Sequence, residues 1–260
     1  MLLPMDPNRR TRLLSIIGIA VVVIVLAVTG VVALRNTFGG MNGAMRSLGE
    51  SIGEAIGSFS GESETREFDV EEFDSIRVRG GWKLTVRRGS GFSATVTAPS
   101  DAFEHLEVDV GGDTLEIGFR QNVAWSSLSG RFEAEITVPA LAGLRTEGGA
   151  DVRLLGISAD ELKLRSEGAA QITAIESRIE NLELDADGGV SVDFTGSWIT
   201  NADLDIDGAA SIRLNMSGGT ISGSMDGVGV LRYSGEARRE IDVNGLASVE
   251  FVESWNRDDE

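Results

Sequence analysis

The chain has 260 residues, a formal net charge of -18, 33 glycines, a single histidine (His105) and no cysteine. That length holds a membrane segment plus one domain of about 200 residues, or two smaller ones. The charge excludes nucleic acid as a partner, whose phosphates require a basic patch, and the missing thiols exclude disulfides and thiolate metal centres.

Residues 1–12 read as a short cytoplasmic N-terminus. Residues 13–34 are apolar apart from Ser15 and Thr29 and carry no charge. At about 1.5 Å per residue such a helix crosses a hydrocarbon core of about 30 Å. Arg9, Arg10 and Arg12 precede the segment and only Arg35 closely follows it. The positive-inside rule therefore predicts a single-pass transmembrane helix with everything beyond it outside the cytoplasm, in the periplasm or at the cell surface. The rival reading is a cleaved signal peptide, against which stand the long apolar run and the poor cleavage site Val32-Ala33-Leu34.

Residues 35–65 are Gly- and Ser-rich and read as a juxtamembrane stalk. Within them Met41, Met45, Leu48, Ile52, Ile56 and Phe59 keep helical spacing, beside a stripe of Gly49, Gly53 and Gly57. Glycines at helical positions favour a flexible stalk. The alternative is a helix on the membrane or paired with a second copy, so self-association through the stalk is an open partner reading.

Residues 66–140 alternate apolar and polar side chains in short segments such as Trp82-Lys83-Leu84-Thr85-Val86, separated by Gly80-Gly81, Gly111-Gly112 and Pro139. This predicts an irregular, partly antiparallel β region that caps the more regular C-terminal half of the chain.

Residues 141–253 repeat. An acid or Asn followed by glycine occurs at Glu147-Gly148, Glu167-Gly168, Asp187-Gly188, Asp207-Gly208, Asp226-Gly227 and Asn244-Gly245, in steps of 20, 20, 20, 19 and 18. Strict alternation flanks each dipeptide. A unit this short cannot bury its own apolar face, so copies must stack. Inward columns of Leu164, Leu184 and Leu204, and of Ile172, Val192 and Ile212, are expected. Glycine suits a corner with positive φ, and the acid before it is expected to bond the backbone across that corner. The fold class predicted is all-β: a parallel, right-handed β-helix or β-solenoid with an irregular β cap, preceded by the transmembrane α-helix. Residues 254–260 form an acidic C-terminal tail.

The blocks Phe73-Asp74-Ser75-Ile76-Arg77-Val78-Arg79-Gly80, Lys83-Leu84-Thr85-Val86 and Leu106 to Ile117, together with the small-residue corners, resemble the bacterial putative auto-transporter adhesin head GIN domain family. The resemblance covers about residues 68–251. It implies a pectin-lyase-like β-helix without a lyase's catalytic residues, and a role in adhesion. The family's usual Gly-Ser-Gly corner is replaced here by an acid followed by Gly and then Gly or Ala.

The corner acids Glu147, Glu167, Asp187, Asp207 and Asp226 are expected to form a column, with Asp185 and Asp205 stacking beside Glu183 and Asp203. Like carboxylates about 4.8 Å apart repel by about 1 kcal/mol in water. The simple reading is a solvated acidic face. The alternative is Ca²⁺ held by Asp185, Asp187, Asp205 and Asp207, since hard cations take clustered carboxylate oxygens; the Gly-Gly-x-Gly-x-Asp calcium motif is missing. No other cofactor is expected. Stacked acids also supply the carboxylate pairs of a glycosidase, but short corners leave no loops to build a cleft. No catalytic residue is assigned, and His105 reads as a surface or packing residue. Trp125, Trp198 and Trp255 could stack on sugars or cap the sheet. The chain therefore reads as a non-enzymatic, membrane-anchored binding or adhesion module for a glycan or cell-surface protein at the cell envelope. A self-associating structural or signalling ectodomain is the alternative, and a carbohydrate-active enzyme a more distant one.

Overall fold

The strand elements are β1 (Ser63–Phe68), β2 (Ser75–Arg88), β3 (Ser93–Pro99), β4 (Leu106–Gly111), β5 (Thr114–Phe119), β6 (Glu133–Val138), β7 (Gly143–Leu155) and β8 (Ser158–Phe251). The structure is a computed structural model that describes residues 59, 61–120 and 132–255. These all fall in one contact-defined unit, Ile56–Glu260. The cytoplasmic N-terminus, the membrane helix and nearly all of the stalk expected from the sequence lie outside the described residues. So do residues 256–260 of the tail and Trp125. Among the described residues no helix is long and apolar enough to cross a membrane, so the transmembrane helix is not part of the described fold.

All eight strands belong to one sheet, in the order β1-β3-β6-β2-β5-β4, with β7 joined to β2 and β8 joined to β7. Three pairings are antiparallel, β1 with β3, β3 with β6 and β4 with β5. The pairings of β2 with β5, β6 and β7, and of β7 with β8, are parallel. This corrects the predicted architecture. The sheet is a curled half-barrel of mixed strands and not a parallel right-handed β-helix or solenoid. The physical reason lies in β2, whose 14 residues are long enough to serve three partners. Its first half pairs β5, its second half pairs β6, and its length pairs β7. A repeat dictates which residues face one another across a ladder; it does not dictate how many partners a strand takes or how the sheet curls.

The twenty-residue step does set local register. Glu147 lies opposite Glu167 and Gly148 opposite Gly168. The step continues into β8, where Ser177 N donates to Ser197 Oγ at 3.1 Å. Gly148, Gly168, Gly188, Gly208 and Gly227 all have φ between 113° and 136°, a region that penalises any side chain. Space forbids one as well: a Cβ on Gly188 would strike the carbonyl oxygen of Gly168, and one on Gly208 that of Gly188. The glycines thus form a column of backbone in contact with backbone.

The inward residues of the strands join in one buried apolar cluster. Leu164, Leu184, Leu204, Ile172, Val192 and Ile212 are each at most 1 % exposed. Each such side chain contributes about 1.5–3 kcal/mol by leaving water. Near β2 and β5 the core becomes aromatic: Phe119 meets Phe132 edge-on with centroids 5.0 Å apart, and Trp82 lies 5.5 Å from Phe132. The Trp82 indole N–H donates to the Arg79 carbonyl at 3.0 Å, which satisfies the polar edge of a buried ring.

Candidate functional site

Alternation sends every second residue of β2, β7 and β8 outward, and in-register pairing aligns these residues across the strands. Arg77, Arg145 and Arg165 stand opposite one another in this way. Three guanidiniums at strand spacing repel, and interleaved carboxylates offset the repulsion. Arg145 reaches Glu147 and Glu167, both at 2.7 Å, and Arg165 reaches Glu167 at 3.2 Å and Asp185 at 3.0 Å. Arg77 and Arg79 engage Glu116 at 3.4 and 3.2 Å. Part-exposed pairs of this kind contribute about 0–1 kcal/mol each. The shallow groove of about 260 Å³ lined by Arg77, Glu116, Arg145 and Arg165 is a surface whose arginines are paired with carboxylates.

Further along β8 the balance reverses. Between Arg178 and Arg213 the sequence holds eight acids and no base. Here a larger open groove of about 420 Å³ is lined by Glu161, Asn181, Glu183, Asn201, Asp203 and Ser222, among others. Two asparagines twenty residues apart build its floor. Asn181 Nδ2 donates to the Asp160 carbonyl at 2.9 Å, Asn201 Nδ2 donates to Asn181 Oδ1 at 3.0 Å, and Thr220 N donates to Asn201 Oδ1 at 3.1 Å. Each amide is thus fixed in orientation by its neighbour. The rim is charged. Lys163 contacts Glu161 at 3.1 Å and Glu183 at 3.0 Å. Its hydrogen bond to Glu183 and then that to Glu161 hold its ammonium above the usual lysine range. Asp203 accepts from Ser222 Oγ at 3.0 Å.

The proposed cation ligands fall into two kinds. Asp185 is paired with Arg165, and Asp205 accepts from Ser224 Oγ at 2.9 Å. Asp187 and Asp207 are exposed and accept no hydrogen bond from the described residues. Among the described residues no group of three or more His, Asp or Glu is placed to hold a metal ion. The expected hydrogen bond from each corner acid to the backbone is also absent among the described residues. Glu147 and Glu167 turn to arginines instead, because the arginine column stands beside them. His105 is exposed, 3.3 Å from Glu104 and with its ring 5.7 Å from that of Phe59.

Two further columns share the twenty-residue spacing but lie away from the acid–glycine dipeptides, and sequence reasoning missed them. One is the Asn181–Asn201 ladder. The other is buried: Ile157 N donates to Ser177 Oγ at 3.0 Å, Ser177 N to Ser197 Oγ, and Asn215 Nδ2 to the Ser197 carbonyl at 3.0 Å. The signal for both is Asn and Ser recurring every twenty residues. Beside the second column Trp198 stands 47 % exposed, with the Arg178 guanidinium 5.7 Å from its ring centroid.

An outer face with an oriented amide floor, a charged rim and an open groove is suited to holding a partner at a surface. Residues 72–200 match the family described as putative auto-transporter adhesin, head GIN domain. The blocks at 73–80, 83–86 and 106–117 lie inside this head GIN match, whereas the pectin-lyase-like β-helix that the resemblance implied is not supported. No curated protein matches the chain. The crystal structure of a putative adhesin from Bacteroides fragilis has 15 % identity and a TM-score of 0.56 over 75 % of this chain and 99 % of that one. At this identity the likeness is one of fold. A putative adhesin from Parabacteroides merdae has 16 % identity and a TM-score of 0.47, covering 75 % of this chain and 98 % of its own. A putative lipid binding protein from Parabacteroides distasonis has 15 % identity and a TM-score of 0.43, covering 75 % and 99 %.

Proposed function

We propose that the chain is a non-catalytic binding module acting in adhesion outside the cytoplasm, and that the amide-floored acidic groove of β8 is its recognition surface. The observation that carries this reading is the groove itself, whose Asn181 and Asn201 amides are locked in orientation and whose Glu161, Glu183 and Asp203 carboxylates ring the rim. The head GIN match over residues 72–200 supports adhesion and an extracytoplasmic location. The groove's carboxylates are exposed and engaged with Lys163 and Ser222, an arrangement for contact with a partner. A glycan or a cell-surface protein is the partner class that such a surface fits. Acidic rims speed and select encounters with complementary partners.

The test is binding of the full-length chain to a panel of immobilised glycans and extracellular-matrix proteins, with Glu183→Lys plus Asp203→Lys as the comparison. Saturable binding to at least one probe is expected, weakened about tenfold or more by the double reversal. Binding that the reversal leaves unchanged, or no binding across the panel, would overturn the proposal.

A further inference from the structure

Residues 175–178 and 195–198 lie side by side in the twenty-residue register, a few residues before the segments 181–183 and 201–203 that line the groove, and this corner carries features that the core does not need. Trp198 exposes 47 % and Ile175 44 % of their surfaces. Large exposed apolar groups collected at one place mark binding sites more often than chance decoration. Arg178 lies over the indole from one side. The opposite side is bordered by residues 215–219, as the bond from Asn215 Nδ2 to the Ser197 carbonyl and that from Ser217 Oγ to the Ile199 carbonyl at 3.2 Å require. The ring thus carries a cation over it and leaves about half of its surface to solvent.

The same corner holds the only non-glycine residue with positive φ among the described residues, Glu176 at 53°. Twenty residues to either side the chain has Gly156 and Gly196. Glycine would relieve the strain at this position, yet a carboxylate stands there, two residues from Arg178. Backbone strain held without a packing reason points to a role for the side chain. Three residues past Trp198, on the same segment, lies Asn201 of the groove floor.

We infer that Trp198 is a stacking platform for a pyranose ring, and that the groove lined by Asn201, three residues along the same segment, receives an uncharged or amine-bearing saccharide chain. This rests on the reading of the groove as a recognition surface and names its ligand class. An indole face offers a flat apolar plane with a polar edge. A pyranose presents a matching apolar C–H face and equatorial hydroxyls. Glu176 supplies an acceptor for those hydroxyls, and the oriented Asn181 and Asn201 amides supply fixed polar contacts further along. Carboxylates at Glu176, Glu180, Glu183 and Asp203 select against uronic and sialic acids by repulsion.

The experiment measures binding of the full-length chain to β-1,4-linked hexasaccharides of glucose, N-acetylglucosamine and glucosamine, with an oligogalacturonate of the same length as the anionic probe. At least one of the first three binds, and the oligogalacturonate binds about tenfold more weakly or not at all. Trp198→Ala weakens binding about tenfold or more, and Trp198→Phe retains most of it. Trp198→Ala keeps the wild-type far-UV CD spectrum, because the side chain is half outside the core. Glu176→Gly weakens binding without lowering the melting temperature. The inference is overturned if no neutral or amine-bearing hexasaccharide binds, if the oligogalacturonate binds best, or if folded Trp198→Ala binds as wild type does. In each of these cases the broader reading still stands if a protein probe on the panel responds to Glu183→Lys plus Asp203→Lys, and it falls if none does.

Discussion

Replacing Gly188 by alanine should destabilise the protein by about 4 kcal/mol. Two costs combine. Gly188 has φ of 121°, a backbone region nearly closed to side chains, where an L-residue costs about 1–3 kcal/mol. The new methyl would also overlap the carbonyl oxygen of Gly168. The carbonyl is backbone and the methyl is fixed rigidly to backbone, so neither side can yield by a rotamer change, and overpacking of this kind costs about 1–3 kcal/mol. A domain of this size loses about 2–4 °C of melting temperature per kcal/mol, so the shift should be about 10 °C. Gly149→Ala is the matched control. It is the next glycine along in an equivalent corner, without positive φ and with nothing within 4 Å of an added Cβ; it should stay within about 0.5 kcal/mol of wild type. Thermal melting followed by CD reads both variants. If Gly188→Ala melts within about 2 °C of wild type, the backbone-on-backbone column is wrong.

Leu184→Asp should cost several kcal/mol, because Leu184 is 1 % exposed and an unpaired charge there has no partner; urea unfolding measures it, and a midpoint unchanged from wild type would contradict the assigned burial. Arg145→Ala should cost about 1 kcal/mol, modest because both partner carboxylates, Glu147 and Glu167, are about a third exposed. Its loss should shrink as salt is added to a urea titration. Replacing Asp187 and Asp207 together by asparagine should leave the melting temperature unchanged or slightly higher, since both are exposed and accept no hydrogen bond from the described residues. A calcium-dependent rise in wild-type melting above about 5 °C, lost in the double variant, would instead establish a cation site.

The sequence displays its local rules openly and its global ones poorly. Alternation around each acid–glycine dipeptide places Leu164, Leu184 and Leu204 in the core, because a strand's period of two is a property of the backbone alone. The twenty-residue step of the first four corners places Gly148 against Gly168 for the same local reason. The sheet's overall form is a different matter. Nothing in Ser75 to Arg88 announces that one strand will serve β5, β6 and β7, since pairing partners far apart in sequence are chosen by competition among many similar edges. Extending the repeat's logic to the whole chain therefore yields a β-helix where the protein has a curled mixed sheet. The site was legible in part. Its acidity could be counted, but the Asn181–Asn201 ladder required knowing that these two side chains meet across the twenty-residue step. The diversion of Glu147 and Glu167 to Arg145 required knowing which columns are neighbours.

If the β8 groove is where this protein meets its partner, binding must leave its mark on the backbone there and nowhere else. Hydrogen–deuterium exchange of the full-length chain, with and without the tightest-binding probe of the panel, reads that mark. Slowed exchange confined to about residues 176–203 and 219–222 is expected, with β2 and β7 unchanged. Protection centred on the Arg77, Arg145 and Arg165 face would contradict it, as would saturating binding with no protection along β8.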